Sequence, residues 1–227
     1  MLPNSLEKYI YDEIVPRYSF FDDAHKEDHA VTVISQALKL MNDRSEWLAT
    51  HLDAGDIWKV EINPAMLCAA AACHDLGLVN GRDRHHLDSG EIIRNDSRLR
   101  EWFSHEQIEV IAQAAEDHRA SSKMPPRSIY GMLVAEADRV IHGETIIRRT
   151  IQFGLKHYPD LDETGHIHRA IDHLHEKYGR GGYLKLWIPW SDNAAHLNAL
   201  QDLIADSEAL HDEVVRVFHS VDRYNPQ

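Results

Sequence analysis

The stretch Asn63-Pro-Ala-Met-Leu-Cys-Ala-Ala-Ala-Ala-Cys-His-Asp-Leu-Gly77 decides the fold. Residues 65–73 within it are all apolar, so the helix that they predict is buried on every side. Its first residue is a favourable N-cap, and the proline that follows suits the first helical position. We expect the final glycine to end the helix in a left-handed turn. The stretch therefore predicts a core helix with a histidine and a carboxylate at its inner end.

The adjacent pair His74-Asp75 is a candidate metal site. A buried carboxylate is costly unless it is hydrogen-bonded, paired with a positive group or bound to a metal. The end of a helix raises this cost, because the helix macrodipole disfavours negative charge there. Asp75 therefore needs a positive partner, and a metal cation is one candidate.

Three other segments each place a polar side chain on the apolar face of a predicted helix. His29 opens one of them, His118 ends another that begins with a capping box at Ser104, and Asp138 lies within the third. Taken singly, such a residue is more often a hydrogen-bonded core or rim residue than a ligand. A His or Asp on the inner face of four separate helices is much less expected by chance, and this set predicts a metal site.

In this order the residues resemble the HD-domain superfamily of metal-dependent phosphohydrolases. The pattern is His29, the His74-Asp75 pair, a His-His pair followed by Ser-Gly within 85–90, then His118 and Asp138. The resemblance covers about residues 25–150, and the pattern is similar to that of small bacterial HD hydrolases with six metal ligands. It implies an all-α fold, an HD-domain helical bundle with additional C-terminal helices.

The resemblance also implies a role for each ligand. The primary metal would be held by His29, His74, Asp75 and Asp138. Asp75 would bridge to a second metal held by His86 and His118, and the catalytic residues would be Asp75, His86 and His118. His86 fits the family spacing better than His85, because it stands three residues before Ser89 and four before Gly90.

Three arginines adjoin the proposed ligands and are candidates for binding a substrate phosphate, namely Arg84, Arg119 and Arg139. An ordinary surface ion pair is an equally good interpretation of each. The imidazole and carboxylate ligands suit one or two divalent ions of Mn, Fe, Ni, Co, Mg or Zn, without choosing among them. The expected reaction is attack of a metal-activated water on a phosphate ester or anhydride of a small, nucleotide-like substrate.

Two other functions stay open. A mixed-valence di-iron oxygenase would use the same six ligands, and a non-enzymatic binding module would keep the fold but lose them. Two known HD activities are disfavoured. The Glu-Asp pair of relatives that hydrolyse guanosine tetraphosphate is replaced here by Leu76-Gly-Leu-Val79, and the Gly-Tyr-Pro motif of cyclic-dinucleotide phosphodiesterases is missing.

Length and composition predict one domain over residues 1–227. The resemblance implies a metal-binding core at about 25–150, followed by a helical extension at about 151–227. The net charge of −13 argues against broad nucleic-acid binding and against binding to anionic membranes, but it does not exclude a small phosphorylated substrate. The predicted helices are 4–15, 29–42, 64–76, 86–95, 105–118, 128–142, 143–153, 164–177 and 193–219. The last could pack on the body or on a second copy in a homodimer.

The two cysteines, Cys68 and Cys73, indicate a reducing compartment. They lie five residues apart on one buried helix, so their side chains point apart and cannot easily form a disulfide. The first residues show no signal-peptide pattern, and no apolar run approaches the roughly 20 residues of a membrane span. We therefore expect a cytoplasmic location.

Overall fold

The structure is a computed structural model that describes residues 2–22, 25–122 and 124–222. Among these residues it contains α-helices, short π and 3₁₀ segments and no β-strand, so the predicted all-α class is confirmed. The helices are α1 (Asn4–Tyr9), α2 (Glu27–Thr50), α3 (Pro64–Cys73), α4 (His85–Asn95), α5 (His105–Glu116), α6 (Ile129–Ala137), α7 (Gly143–His157), α8 (Glu163–Tyr178), α9 (Asn193–Ala205) and α10 (Ser207–Asp222).

Several predicted boundaries differ from these helices, and the largest differences are in the first two predicted helices and in the last. The first predicted helix is α-helical only as far as Tyr9 and continues as a π-helical segment, Ile10–Ile14, and a 3₁₀ segment, Val15–Phe20. Helix α2 runs on to Thr50, beyond the predicted end at residue 42. The single predicted helix 193–219 is two helices that separate at Asp206, whose side chain accepts a hydrogen bond from the backbone N–H of Ala209 at 3.0 Å and so starts a new helix.

The described chain divides into two compact units, Met1–Arg139 with Trp187–Ser191, and Val140–Leu186 with Asp192–Gln227. The first unit contains α1 to α6 and every proposed metal ligand. In the second unit α7 packs against α8 and α10. Helix α9 also packs against α8 and α10. None of the helices in the described ranges combines the length and apolarity that crossing a bilayer requires.

Helix α3 is the centre of the first unit. It begins as predicted, with the side chain of Asn63 accepting a hydrogen bond from the N–H of Ala65 and with Pro64 at the first helical position. Every residue from Ala65 to Cys73 is buried, and α2, α5 and α6 pack around the helix. The run of alanines lets these neighbours approach closely. One end of each of the helices α2, α5 and α6 can therefore lie near the C-terminus of α3.

Helix α4 is placed by a close approach at Gly77. This glycine lies in the 3₁₀ segment Leu76–Asn80 and not in the left-handed turn that the sequence predicted, since Gly81 and Gly181 are the glycines with positive φ in the described chain. A Cβ on Gly77 would lie 2.0 Å from the carbonyl oxygen of His85. The glycine is therefore needed for the contact between this turn and the first residue of α4.

Candidate metal centre

The candidate ligands all lie at helix ends. His74 and Asp75 follow α3, His118 follows α5 by two residues, and Asp138 is the C-cap of α6. His29 lies in the first turn of α2. The C-terminal ends of three helices thus converge on one region, and their macrodipoles favour a positive charge there.

The first cluster contains four residues that the sequence analysis proposed as ligands, His29, His74, Asp75 and Asp138. The Nε2 atom of His29 lies 3.3 Å from Oδ1 of Asp138 and 3.6 Å from Oδ2 of Asp75. The Nε2 atom of His74 lies 3.3 Å from the same Oδ2 of Asp75 and 3.7 Å from Oδ1 of Asp138. Each imidazole thus faces an oxygen of both carboxylates. His29, His74 and Asp75 lie close enough together to hold one metal ion, and Asp138 lies beside the two histidines.

The second cluster contains His85 where the sequence analysis had chosen His86. Nε2 of His85 lies 3.5 Å from Oδ1 of Asp75, and Nε2 of His118 lies 3.2 Å from the same oxygen. Helix α4 begins at His85, so the next side chain is turned by about 100° and leaves the cluster. The family spacing to Ser89 and Gly90 could not show this, because it does not fix where the helix begins.

His86 lies beside the second cluster without joining it. Its ring centroid is 5.5 Å from that of His85, and its buried Nδ1 has no hydrogen-bond partner among the described residues. Burial and the nearby Arg119 and His118 lower the pKa of His86 to about 4. Its imidazole is therefore neutral near pH 7.

The carboxylate of Asp75 divides its two oxygens between the clusters. Oδ2 faces His29 and His74, whereas Oδ1 faces His85 and His118. Burial opposes ionisation of this group, but the surrounding imidazoles outweigh it and hold the pKa of Asp75 well below its ordinary value. This is the arrangement of a carboxylate that bridges two cations.

Hydrogen bonds on the far side of three rings orient the Nε2 atoms toward the centre. Nδ1 of His74 lies 2.8 Å from the carbonyl oxygen of Ala71, and Nδ1 of His85 lies 2.7 Å from that of Arg82. His118 makes the same contact with the residue three positions before it, Ala115. A carbonyl only accepts, so each Nδ1 carries a proton and, in the neutral ring, each Nε2 keeps its lone pair.

The donor atoms fit divalent cations. Nε2 of His29 and Nε2 of His74 are 3.2 Å apart, as are those of His85 and His118. Two ring nitrogens at this distance repel each other unless a proton or a metal cation lies between them. Ligands at about 2.1 Å from a metal are separated by about 3.0 Å in octahedral and about 3.4 Å in tetrahedral geometry. The observed spacings, 3.2–3.7 Å, lie in and just above this range.

The comparison with known protein families agrees with this geometry. The model of the HD domain matches residues 25–142, just over half of the chain. The chain belongs to the HD family. The match covers both clusters, and the family implies the superfamily of metal-dependent hydrolases. No match was found among curated proteins or among solved structures.

Two residues near the clusters were missed in the sequence. His25 precedes α2 and lies four residues before His29, with ring centroids 5.5 Å apart, and its Nδ1 is 2.7 Å from Oδ1 of Asp22. The signal was the four-residue spacing of the two histidines. Tyr18 is fully buried and its hydroxyl contacts the chain at Asp75, but no pattern in the sequence connects two residues so far apart.

The three predicted phosphate-binding arginines have different surroundings in the HD domain. The Arg84 side chain is 66% exposed, and its Nη2 lies 4.0 Å from Asp88. Nη1 of Arg119 donates to the carbonyl of Asp83 at 2.6 Å, which ties the end of α5 to the loop before His85. Arg139 is buried, Nε and Nη1 have no partner among the described residues, and burial lowers the pKa of its guanidinium.

Proposed function

We propose that this protein is a metal-dependent phosphohydrolase that cleaves a phosphate ester or anhydride of a small, nucleotide-like substrate. The observation that carries the proposal is the carboxylate of Asp75, whose two oxygens each face a pair of histidines. Such a donor set suits two divalent cations, with His29, His74 and Asp138 completing one site and His85 and His118 the other. His85 takes the place in this proposal that the sequence analysis gave to His86.

Bound divalent metals would lower the pKa of a coordinated water and would polarise a phosphoryl oxygen. The residues of the chain provide the geometry for this chemistry. His74, Asp75 and His118 are buried, and main-chain hydrogen bonds fix both of these histidine rings. A preorganised, partly water-excluded cluster of this kind avoids the cost of reorienting its groups during the reaction.

Arg139 supports an anionic substrate. Two buried guanidinium N–H groups without a partner are costly unless a ligand accepts from them. Arg139 follows the proposed ligand Asp138 directly, so we assign it to a non-reacting phosphoryl oxygen of the substrate. Arg119 is a weaker candidate for binding a phosphoryl oxygen, because its Nη1 and Nε already donate hydrogen bonds to Asp83 and Ser121. The side chain of Arg84 is exposed, so it would contact a substrate only at the entrance to the metal centre.

The test is to remove metals from the protein and reload it separately with Mn, Fe, Ni, Co, Mg or Zn. We expect at least one metal to support release of phosphate or pyrophosphate from a panel of nucleotides and simple phosphate esters. Asp75→Asn should abolish this activity, whereas Asp53→Asn, the same change at an exposed position, should retain it. Turnover of no phosphate compound with any metal, together with oxygen consumption by the iron-loaded protein, would instead support the di-iron oxygenase.

A further inference from the structure

We infer that Tyr18 is a positioning residue for the metal centre, because its hydroxyl fixes the stretch of main chain that carries the bridging carboxylate of Asp75. The inference rests on the metal site proposed above. Tyr18 lies in the 3₁₀ segment Val15–Phe20 and is separated from Asp75 by 57 positions in the sequence. It is not a ligand in either cluster, so it would act through Asp75 and not on the metal itself.

The Tyr18 hydroxyl makes two hydrogen bonds at the end of α3. It donates to the carbonyl oxygen of Ala72 at 2.9 Å and accepts from the backbone N–H of Asp75 at 3.2 Å. Both bonds are buried, and the side chain of Tyr18 has no exposed surface. In this environment water cannot readily replace the hydroxyl as a partner for either group.

These bonds matter because the last carbonyl groups of a helix lack partners within it. The carbonyl of Ala71 is used by the ring of His74, and that of Ala72 is used by Tyr18. The chain can then leave the helical path, and Asp75 adopts φ −110° and ψ 7°. The hydroxyl also accepts from the N–H of Asp75, so one side chain holds both ends of this turn.

The aromatic ring of Tyr18 is also held in place. Phe21 packs edge-on against it with ring centroids 5.3 Å apart, and the ring of His74 lies 6.2 Å away on another side. Tyr18→Phe would keep these ring contacts and remove only the hydroxyl. The substitution therefore separates the hydrogen bonds from the packing.

The position of Asp75 makes a specific prediction. Since Oδ1 and Oδ2 belong to different clusters, a change in the main chain at Asp75 moves ligands of both at once. Loss of the Tyr18 hydroxyl should therefore weaken both metal equivalents. Loss of His85, by contrast, should weaken only one.

The experiment is a Co²⁺ titration of the metal-free protein in competition with a chelator, followed by the visible absorption of the bound cobalt. We expect Tyr18→Phe to lower the affinity of both equivalents about 10- to 100-fold, the usual effect of removing a group that orients metal ligands, and to change the cobalt spectrum. The matched control is Tyr9→Phe. That tyrosine is equally buried, and its hydroxyl donates to Asp96 at 2.5 Å, so its loss should lower thermal stability without changing cobalt affinity or spectrum.

Wild-type affinity and spectrum in Tyr18→Phe would overturn the inference while leaving the proposed metal centre intact. A wild-type protein that binds no cobalt would overturn the metal centre itself, and Tyr18 with it. Replacing Tyr18 with p-aminophenylalanine covers the case in which the phenylalanine variant does not fold. The amino group restores a donor to Ala72, and we expect it to recover most of the cobalt affinity. A cobalt affinity of the p-aminophenylalanine variant no higher than that of an unfolded chain would count against the inference.

Discussion

The Nε2 atoms of His85 and His118 face each other at 3.2 Å, although the two residues are 33 positions apart in the sequence. Each ring is held from behind by the carbonyl three residues before it, so neither can turn its lone pair away. His86, the immediate neighbour of His85, is excluded from this pairing by the start of α4. Adjacent histidines thus have distinct environments, which makes them a natural pair for comparison.

The first prediction is that His85 and His86 affect metal binding differently. His85→Ala should reduce the metal content from two equivalents to one, because it removes a donor facing Oδ1 of Asp75. His86→Ala should leave two. Metal analysis after dialysis against limiting chelator distinguishes the variants. The opposite result, two equivalents in His85→Ala and one in His86→Ala, would restore His86 as the ligand that the sequence suggested.

The second prediction concerns Gly77. Gly77→Ala would place a Cβ 2.0 Å from the carbonyl oxygen of His85, and the main chain of α4 must shift to relieve this clash. We expect a loss of stability of about 1–3 kcal/mol, as overpacking in a core usually costs, and weaker binding of the second metal. Thermal unfolding and metal titration measure the two effects.

Gly55→Ala is the control for this change. A Cβ at Gly55 meets no atom within 4 Å, and its φ of −61° suits alanine. The substitution should stabilise the protein by about 0.4–1 kcal/mol through the unfolded state and should leave metal binding unaltered. Equal stability losses in both glycine variants would refute the close-approach argument.

The third prediction is that metal binding releases protons at neutral pH. Burial opposes protonation of His29 in the metal-free protein, but its contacts with Asp138 and Asp75 outweigh burial and raise its pKa to about 9. A metal must displace the proton from Nε2, so apparent affinity should rise about tenfold per pH unit below pH 9 and level off above it. Calorimetric titration in buffers of different ionisation enthalpy counts the released protons, and a count of zero at pH 7.5 would contradict the shift.

The same pKa predicts how stability of the metal-free protein depends on pH. The folded-state pKa of His29 is higher than its ordinary value of 6.5, so protonation favours the folded state. This contribution is fully present below about pH 6.5 and is lost as the pH rises through about 9. Chemical unfolding of the metal-free protein at pH 6 and pH 9 measures it, and His29→Asn should remove that part of the difference.

The fourth prediction concerns substrate binding by Arg139. Arg139→Gln should raise KM for a phosphorylated substrate about 10- to 100-fold, because a hydrogen bond to a charged group contributes about 1.5–3 kcal/mol. Metal content should not change. The control is Arg98→Gln, which removes an exposed guanidinium paired with Glu13 and should leave KM unaltered. A KM for Arg139→Gln within threefold of wild type would remove Arg139 from the substrate site.

The sequence predicted the helical class and the existence of a metal cluster because both depend on local patterns. The apolar run of α3, its capping residues and the helical spacing around His29 each specify structure within a few residues. The choice between His85 and His86 depended instead on the first residue of α4, which lies against Gly77 in the folded chain. Local periodicity does not fix the exact first residue of a helix.

Tyr18 shows a second limit. Its side chain meets Asp75 only because α2, α3 and the first segments of the chain pack together, and a tyrosine in an irregular segment has no spacing to distinguish it from other core tyrosines. The predicted single domain over residues 1–227, the cytoplasmic location and the homodimer stay predictions. The single domain depends on the relation between the two units of the chain. The location and the homodimer depend on interactions beyond a single described chain.

Helix α3 has no solvent-facing side, and this constrains how the protein can diversify. A residue on its alanine run cannot be enlarged without moving three neighbouring helices, each of which also positions a candidate metal ligand. The candidate metal centre is therefore built into the buried core of the first unit. Side chains can be exchanged without moving these helices in the exposed loop from Gly81 to Arg84.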